Sequence, residues 1–185
     1  AERNCAIAGS VAVCENGNYY NRFYFVHPDG AVQHYDKKHL FTFGGEHKRF
    51  TAGTERVVVN FRGVRILLEV CYDLRFPVWS RNLGDYDMIL YVASWPTPRV
   101  DAWSALLRAR AIENQCYVAG VNRMGTDPAC EYSGGSAIID PYGKTIAECP
   151  WSRESAVSAD IDMEALQAFR KKFPVLDDAD PFTLI

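Results

Sequence analysis

Three apolar runs, VRILLEV (64–70), DMILYVAS (87–94) and CYVAGV (116–121), are each separated from the next by a segment with a helical pattern. Between the first two, PVWSRNLGDY reads as a short helix opened by Pro77, because proline suits a first helical turn. Between the second and third, VDAWSALLRARAIENQ places Trp103, Leu106, Leu107 and Ala111 on one helical face, with Asp101 as its expected cap. Hairpin signals surround this alternation. ERVVVNF and VRILLEV flank Arg62-Gly63, and YYNRFYFV runs into a Pro-Asp-Gly turn. Hairpins combined with strand–helix alternation restrict the chain to an α/β layered protein with a mixed sheet.

The remaining segments fit that frame. CAIAGSVAV (5–13) and AVQHYDKKHL (31–40) read as strands, the second entering a polar loop, FTFGGEHKRFTAG. SAIID and KTIAE are strands joined by a Pro141-Tyr142-Gly143 turn. MEALQAFRKKF is a late helix with Asp162 before it and Lys171-Lys172 near its end, which suits the helix dipole at both termini. No repeat or linker divides the sequence, and its 185 residues suit one domain, 1–185.

Charge and cysteine usage narrow the function. A formal net charge of −3 leaves no basic footprint for nucleic acid. No apolar run approaches the roughly 20 residues of a membrane helix, so no membrane partner is expected. The cysteines at 5, 14, 71, 116, 130 and 149 form no C-x-x-C pair and no cluster with histidine, which argues against a zinc site. Cys5, Cys14, Cys71 and Cys116 lie in or beside strand-like runs, where reduced cysteine acts as a small hydrophobe. A reducing cytoplasm is the expected compartment.

One cysteine stands apart. In LLEVCYDLRFP, Cys71 sits where an apolar strand stops and a helix starts. A free thiol ionises near pH 8.5, and backbone N–H groups with the helix dipole at such a junction are expected to lower that value. The N–H of Tyr72 then points at any oxyanion formed on a carbonyl held by Cys71. The same stretch is equally read as a core cysteine beside an Asp73–Arg75 surface pair. In YDKKHLF, apolar neighbours at Tyr35, Leu40 and Phe41 let one lysine turn inward, where Glu46 is a candidate partner in sequence. An inward ammonium favours the thiolate and binds a developing oxyanion. A Cys–His pair built from His39 or His47, with His27 and His34 as further candidates, is the rival arrangement.

The motifs YDKKHLF, GEHKRFTAG, CYDLRFPVWSRNL, RARAIENQCYVAGVNRMG and SAIIDPYGKTIAE occur in an order that resembles the nitrilase superfamily of carbon–nitrogen hydrolases, most closely its omega-amidase branch. The resemblance runs from about Ala6 to Asp162 and extends into FRKKFPVLDDAD. It implies an α-β-β-α sandwich, two mixed sheets flanked by helices. It also implies a Glu–Lys–Cys triad with Cys71 as nucleophile, Lys37 rather than Lys38 as the lysine, and Glu46 as a second glutamate beside it. Lys37 and the Tyr72 N–H would bind the oxyanion, with no metal or organic cofactor. The substrate would be a small amide of the 2-oxoglutaramate kind, and the protein a cytoplasmic homo-oligomer, commonly a dimer.

The resemblance places the general-base glutamate well upstream of the lysine. Neither Glu2 nor Glu15 fits that place, so about a quarter of the expected fold, about 60 residues, is expected to be missing at the N-terminal side. A chain without that base is expected to turn over poorly alone. For substrate contacts, the residues offer Trp95 for an aliphatic stem, Arg75 and Arg99 for a carboxylate, and Phe41 and Tyr132 as further candidates. Arg75 is alternatively a salt-bridge partner of Asp73 or Glu69. Glu113 is expected to pair with an arginine on its own helix, and Asn21 and Asn122 to satisfy backbone or loop groups. A different superfamily amidase or carbamoylase, and a non-catalytic binding member, are the competing functions.

Overall fold

The computed structural model describes residues 3–183. Its centre is β5 (Val64–Val70), which pairs antiparallel with β4 (Val58–Phe61) and parallel with β6 (Met88–Ala93). β6 pairs parallel with β7 (Tyr117–Asn122), and β10 (Ala137–Ile139) and β11 (Thr145–Glu148) extend the sheet antiparallel. The six-stranded order is β11-β10-β7-β6-β5-β4, a mixed sheet. A second sheet, β1 (Ile7–Glu15), β2 (Asn18–Val26) and β3 (Val32–Asp36), is antiparallel throughout. A small hairpin, β8 (Met124–Thr126) with β9 (Glu131–Ser133), follows β7. These two short strands are not foreseen from the sequence, because three residues carry too little alternation to register.

The unbroken apolarity of β5 follows from its position. Successive side chains point to opposite faces of a sheet, and both faces of β5 are covered. Ile66, Leu68 and Val70 pack against Phe23 and Phe25 of the three-stranded sheet. Leu67 points the other way, into a core with Ile89 and Val118 beneath Trp103 and Leu107. Those two side chains belong to α2 (Val100–Glu113), and each such burial contributes roughly 1.5–3 kcal/mol. The helix approaches so closely that a Cβ on Gly120 of β7 would lie 2.5 Å from Leu107 and 2.8 Å from Trp103.

Short helices complete the layers. α1 (Pro77–Ser80) has Pro77 in its first turn, and α3 (Met163–Lys172) is capped by Asp162, which accepts from the Ala165 N–H at 2.8 Å. Asp101 does not cap α2. A 3₁₀ turn at Thr97–Arg99 runs directly into the helix and leaves Arg99 at the cap position, so Asp101 sits in the first turn. Glu113 pairs with Arg110 of its own helix at 2.8 Å. All six cysteines are free; Cys116 is buried, whereas Cys5 and Cys14 are exposed rather than packed. No helix among the described residues is long and apolar enough to cross a membrane.

Candidate active site

At the carboxyl end of β5 the chain turns abruptly. Val70 is still extended, but Cys71 has φ +50° and opens a 3₁₀ turn, Cys71–Arg75. A cysteine in the left-handed region costs about 1–3 kcal/mol and persists only where its surroundings hold it. Asp73, fully buried under the turn, supplies the hold: its Oδ2 accepts from the Val70 N–H at 3.0 Å. As second residue of the turn, Tyr72 has an N–H that the turn itself does not use.

Lys37 follows β3, and its backbone is fixed on both sides. Its N–H donates to the Asn21 carbonyl at 3.0 Å, and its carbonyl accepts from the Gly53 N–H at 2.9 Å. The side chain is 3% exposed, and Nζ meets Glu46 Oε2 at 2.6 Å. A buried ammonium demands such a partner. Glu46 is presented by two short 3₁₀ turns, Thr42–Gly44 and Glu46–Lys48, joined at Gly45 with φ +74°. Its Oε2 also accepts from the Phe41 N–H at 2.6 Å, and its Oε1 from Asn21 Nδ2 at 3.2 Å. Asn21 therefore braces the glutamate; an asparagine in the middle of an aromatic-rich strand is the signal for it.

Cys71, Lys37, Glu46 and Phe41 line one cleft of about 520 Å³, together with Asn122 and Arg123. Among the described residues, Glu46 is the only carboxylate on its wall. A smaller recess of about 40 Å³ opens beside it, walled by Phe41, Tyr72, Arg75, Trp95 and Arg99 around the same Cys71. The structure thus brings the two sequence-predicted arginines and Trp95 to the thiol. The Arg75 guanidinium lies 4.9 Å from the centre of the Trp95 ring, and that of Arg99 lies 5.5 Å from Phe41. Arg75 is not the salt-bridge partner of Asp73 or Glu69. Asp73 is taken up by Val70, Tyr35 and His39, and Glu69 accepts from Ser80 Oγ at 2.9 Å.

Electrostatics at the thiol differ from expectation. Burial pushes the Cys71 thiol up, and the Lys37 charge acts in the opposite direction. Burial outweighs the favourable Lys37 charge and the bond to the Ser94 carbonyl together. Glu69 is likewise pushed up, first by burial and then by the Asp73 charge.

Other candidates fall outside the site. Tyr132 lines neither space; its hydroxyl donates to Asp127 Oδ2 at 2.7 Å and its ring lies 4.4 Å from the Arg123 guanidinium. No Cys–His pair forms. His39 stacks on Phe76 at 3.8 Å with Nδ1 2.8 Å from Asp73, His27 bonds Gln33, and His34 and His47 lie outside both spaces. Lys38 turns away from the cleft, 5.3 Å over the Trp79 ring. Glu15 is ion-paired with Arg22 at 3.0 Å and lines neither space, and Glu2 lies outside the described residues. Asn122 serves the backbone, accepting from the Trp95 N–H and donating to the Trp95 and Gly134 carbonyls. Arg123, unforeseen because nothing in its neighbourhood marks it, reaches the cleft wall from the β7–β8 connection. Among the described residues, no group of three or more His, Cys, Asp or Glu side chains gathers as a metal site.

The geometry sets a strand-end thiol beside an inward lysine–glutamate pair on an α/β scaffold, and the carbon–nitrogen hydrolase family model matches residues 1–171. The chain belongs to that family and has the nitrilase-superfamily α/β fold. It is 54% identical over 182 residues to the omega-amidase YafV of Escherichia coli K12, covering 98% of this chain and 71% of the relative. It is 42% identical over 175 residues to the 2-oxoglutaramate amidase of Bacillus subtilis, covering 93% and 67%. Among solved structures, XC1258 of Xanthomonas campestris, a CN-hydrolase superfamily protein with an arsenic adduct in its active site, superposes with a TM-score of 0.95. It is 47% identical and covers 98% of this chain and 71% of its own.

Proposed function

We propose that the protein hydrolyses the terminal amide of a short dicarboxylic monoamide of the 2-oxoglutaramate kind, releasing ammonia and leaving a carboxylate. The observation that carries this reading is the shared cleft: Cys71, Lys37 and Glu46 line one space, with the two arginines of the adjoining recess at the same thiol. Cys71 Sγ attacks the amide carbon as its proton passes to a base. The carbonyl oxygen becomes an oxyanion that Lys37 Nζ and the Tyr72 N–H stabilise. Collapse of the tetrahedral adduct breaks the C–N bond and expels ammonia, leaving a thioester on Cys71. Water then attacks the thioester and frees the acid. Arg75 and Arg99 grip the distal carboxylate, and Trp95 and Phe41 flank the aliphatic stem.

Glu46 braces the lysine in this scheme rather than taking the thiol proton, since it is already committed to Lys37, Phe41 and Asn21. Residues 1–185 act as one domain within a cytoplasmic homodimer. Ammonia release from 2-oxoglutaramate, measured beside a panel of nitriles, carbamoyl compounds and longer amides, tests the proposal. The ω-amide is expected to give the highest kcat/KM, and Cys71→Ala to abolish its turnover. Preference for a carbamoyl compound or nitrile replaces the substrate class; unchanged turnover by Cys71→Ala removes the nucleophile.

A further inference from the structure

Two chain segments carry the reacting groups, and they are 34 residues apart: the lysine segment 35–39 and the cysteine turn 70–75. One buried carboxylate joins them. Asp73 Oδ2 accepts from the Val70 N–H at 3.0 Å and from the Tyr35 hydroxyl at 2.8 Å. Asp73 Oδ1 accepts from the His39 N–H at 2.9 Å and meets His39 Nδ1 at 2.8 Å. The Tyr35 hydroxyl in turn accepts from the Lys38 N–H at 3.0 Å and from Trp79 Nε1 at 3.2 Å. Every oxygen of the carboxylate is therefore used twice, and each use ties a residue flanking Lys37 or Cys71. Tyr35 and His39 stand two residues either side of Lys37; Val70 immediately precedes the strained Cys71.

We infer that Asp73 is a positioning residue that sets the distance and angle between the Cys71 thiol and the Lys37 ammonium, with Tyr35 and His39 as its arms. The inference rests on the reading of Cys71 as nucleophile and Lys37 as oxyanion donor. Asp73 itself lines neither space at the thiol, so it acts through the two groups it holds. Asparagine has the same shape but turns an NH₂ toward a backbone N–H donor, which breaks at least one of the bonds and weakens the others by removing the charge, without opening a cavity.

The enzyme carrying Asp73→Asn, Tyr35→Phe or His39→Gln tests this against wild type and Cys71→Ala. A misplacement on the order of 1 Å costs about 100-fold. Asp73→Asn is accordingly expected to lower kcat by about 10- to 100-fold with KM within about twofold, and to slow iodoacetamide alkylation of Cys71 in protein that is folded by circular dichroism. Tyr35→Phe and His39→Gln, which each remove part of the brace, are expected to fall between wild type and Asp73→Asn. Wild-type kcat and alkylation in folded Asp73→Asn overturns the inference, as does loss of activity that only tracks the folded fraction. If Asp73→Asn does not fold, wild-type kcat in both arm variants overturns it instead. Activity retained by Cys71→Ala would condemn the nucleophile assignment rather than the brace.

Discussion

The two ends of β5 carry nearly the same unusual backbone angle, +52° at Arg62 before the strand and +50° at Cys71 after it. At the first end the angle belongs to the turn. Arg62 and Gly63 both lie in the left-handed region, as a two-residue hairpin between twisted strands requires, and both are exposed to solvent. At the second end no hairpin needs it, since β5 leads to a crossover and a parallel neighbour. There the angle is imposed by burial and by the Asp73 carboxylate. It lifts the thiol out of the strand direction and into a cleft with Lys37. The same conformation closes a hairpin at one end and presents a thiol to a cleft at the other.

The most severe way to break that contrast is to exchange each residue for alanine. Cys71→Ala should lower kcat by roughly 10⁴-fold or more, in the manner of a lost nucleophile, whereas Arg62→Ala should turn over at the wild-type rate. A comparable loss from both would mean that the whole strand, not its carboxyl end, governs activity.

Next in size is the electrostatic difference. Lys37→Met should cost on the order of 10²–10³ in kcat, as loss of an oxyanion donor does, and no charge near Arg62 should matter at all. The thiol offers a second readout. Because burial holds it above its ordinary value while Lys37 pulls it down, alkylation by iodoacetamide should accelerate as pH rises above neutrality. In Lys37→Met the acceleration should shift to higher pH. A shift the other way contradicts the assignment of Lys37 as the favourable charge.

Smaller effects concern stability. Arg62→Val, a β-branched residue forced into the left-handed region, should lose about 1–2 kcal/mol in urea unfolding, and Arg62→Asn should stay within about 0.5 kcal/mol of wild type. At the other end, Cys71→Gly should be more stable than Cys71→Ala by about 1 kcal/mol, because glycine alone adopts that angle freely. Equal stability of those two variants would show that Cys71 is not strained.

What could be read from the amino acids follows from how far each feature reaches. The strand–helix alternation, the Arg62-Gly63 hairpin and the Asp162 cap are local, and each is visible within a few residues. Cys71, Lys37 and Glu46 were legible because residue types and motif order mark them. The structure brings all three to one wall. The failures are long-range. Arg75 has acidic neighbours in sequence, yet Asp73 is claimed by Tyr35 and His39, 38 and 34 residues away. Tyr132 was drawn away by Asp127, and Asp101 lost the capping place to a 3₁₀ turn that no periodicity announces. Local dipoles suggested an acidified thiol, but the depth of its burial is a tertiary quantity.

Phe41 divides its labour in a way that bears on descent. Its main-chain amide serves Glu46, while its ring faces Tyr72 at 5.0 Å and forms part of the recess wall. Any non-proline residue at that position keeps the amide, so the ring can be traded without disarming the lysine. Under the proposed function, a lineage could thus drift from one acid to another through single, individually viable steps.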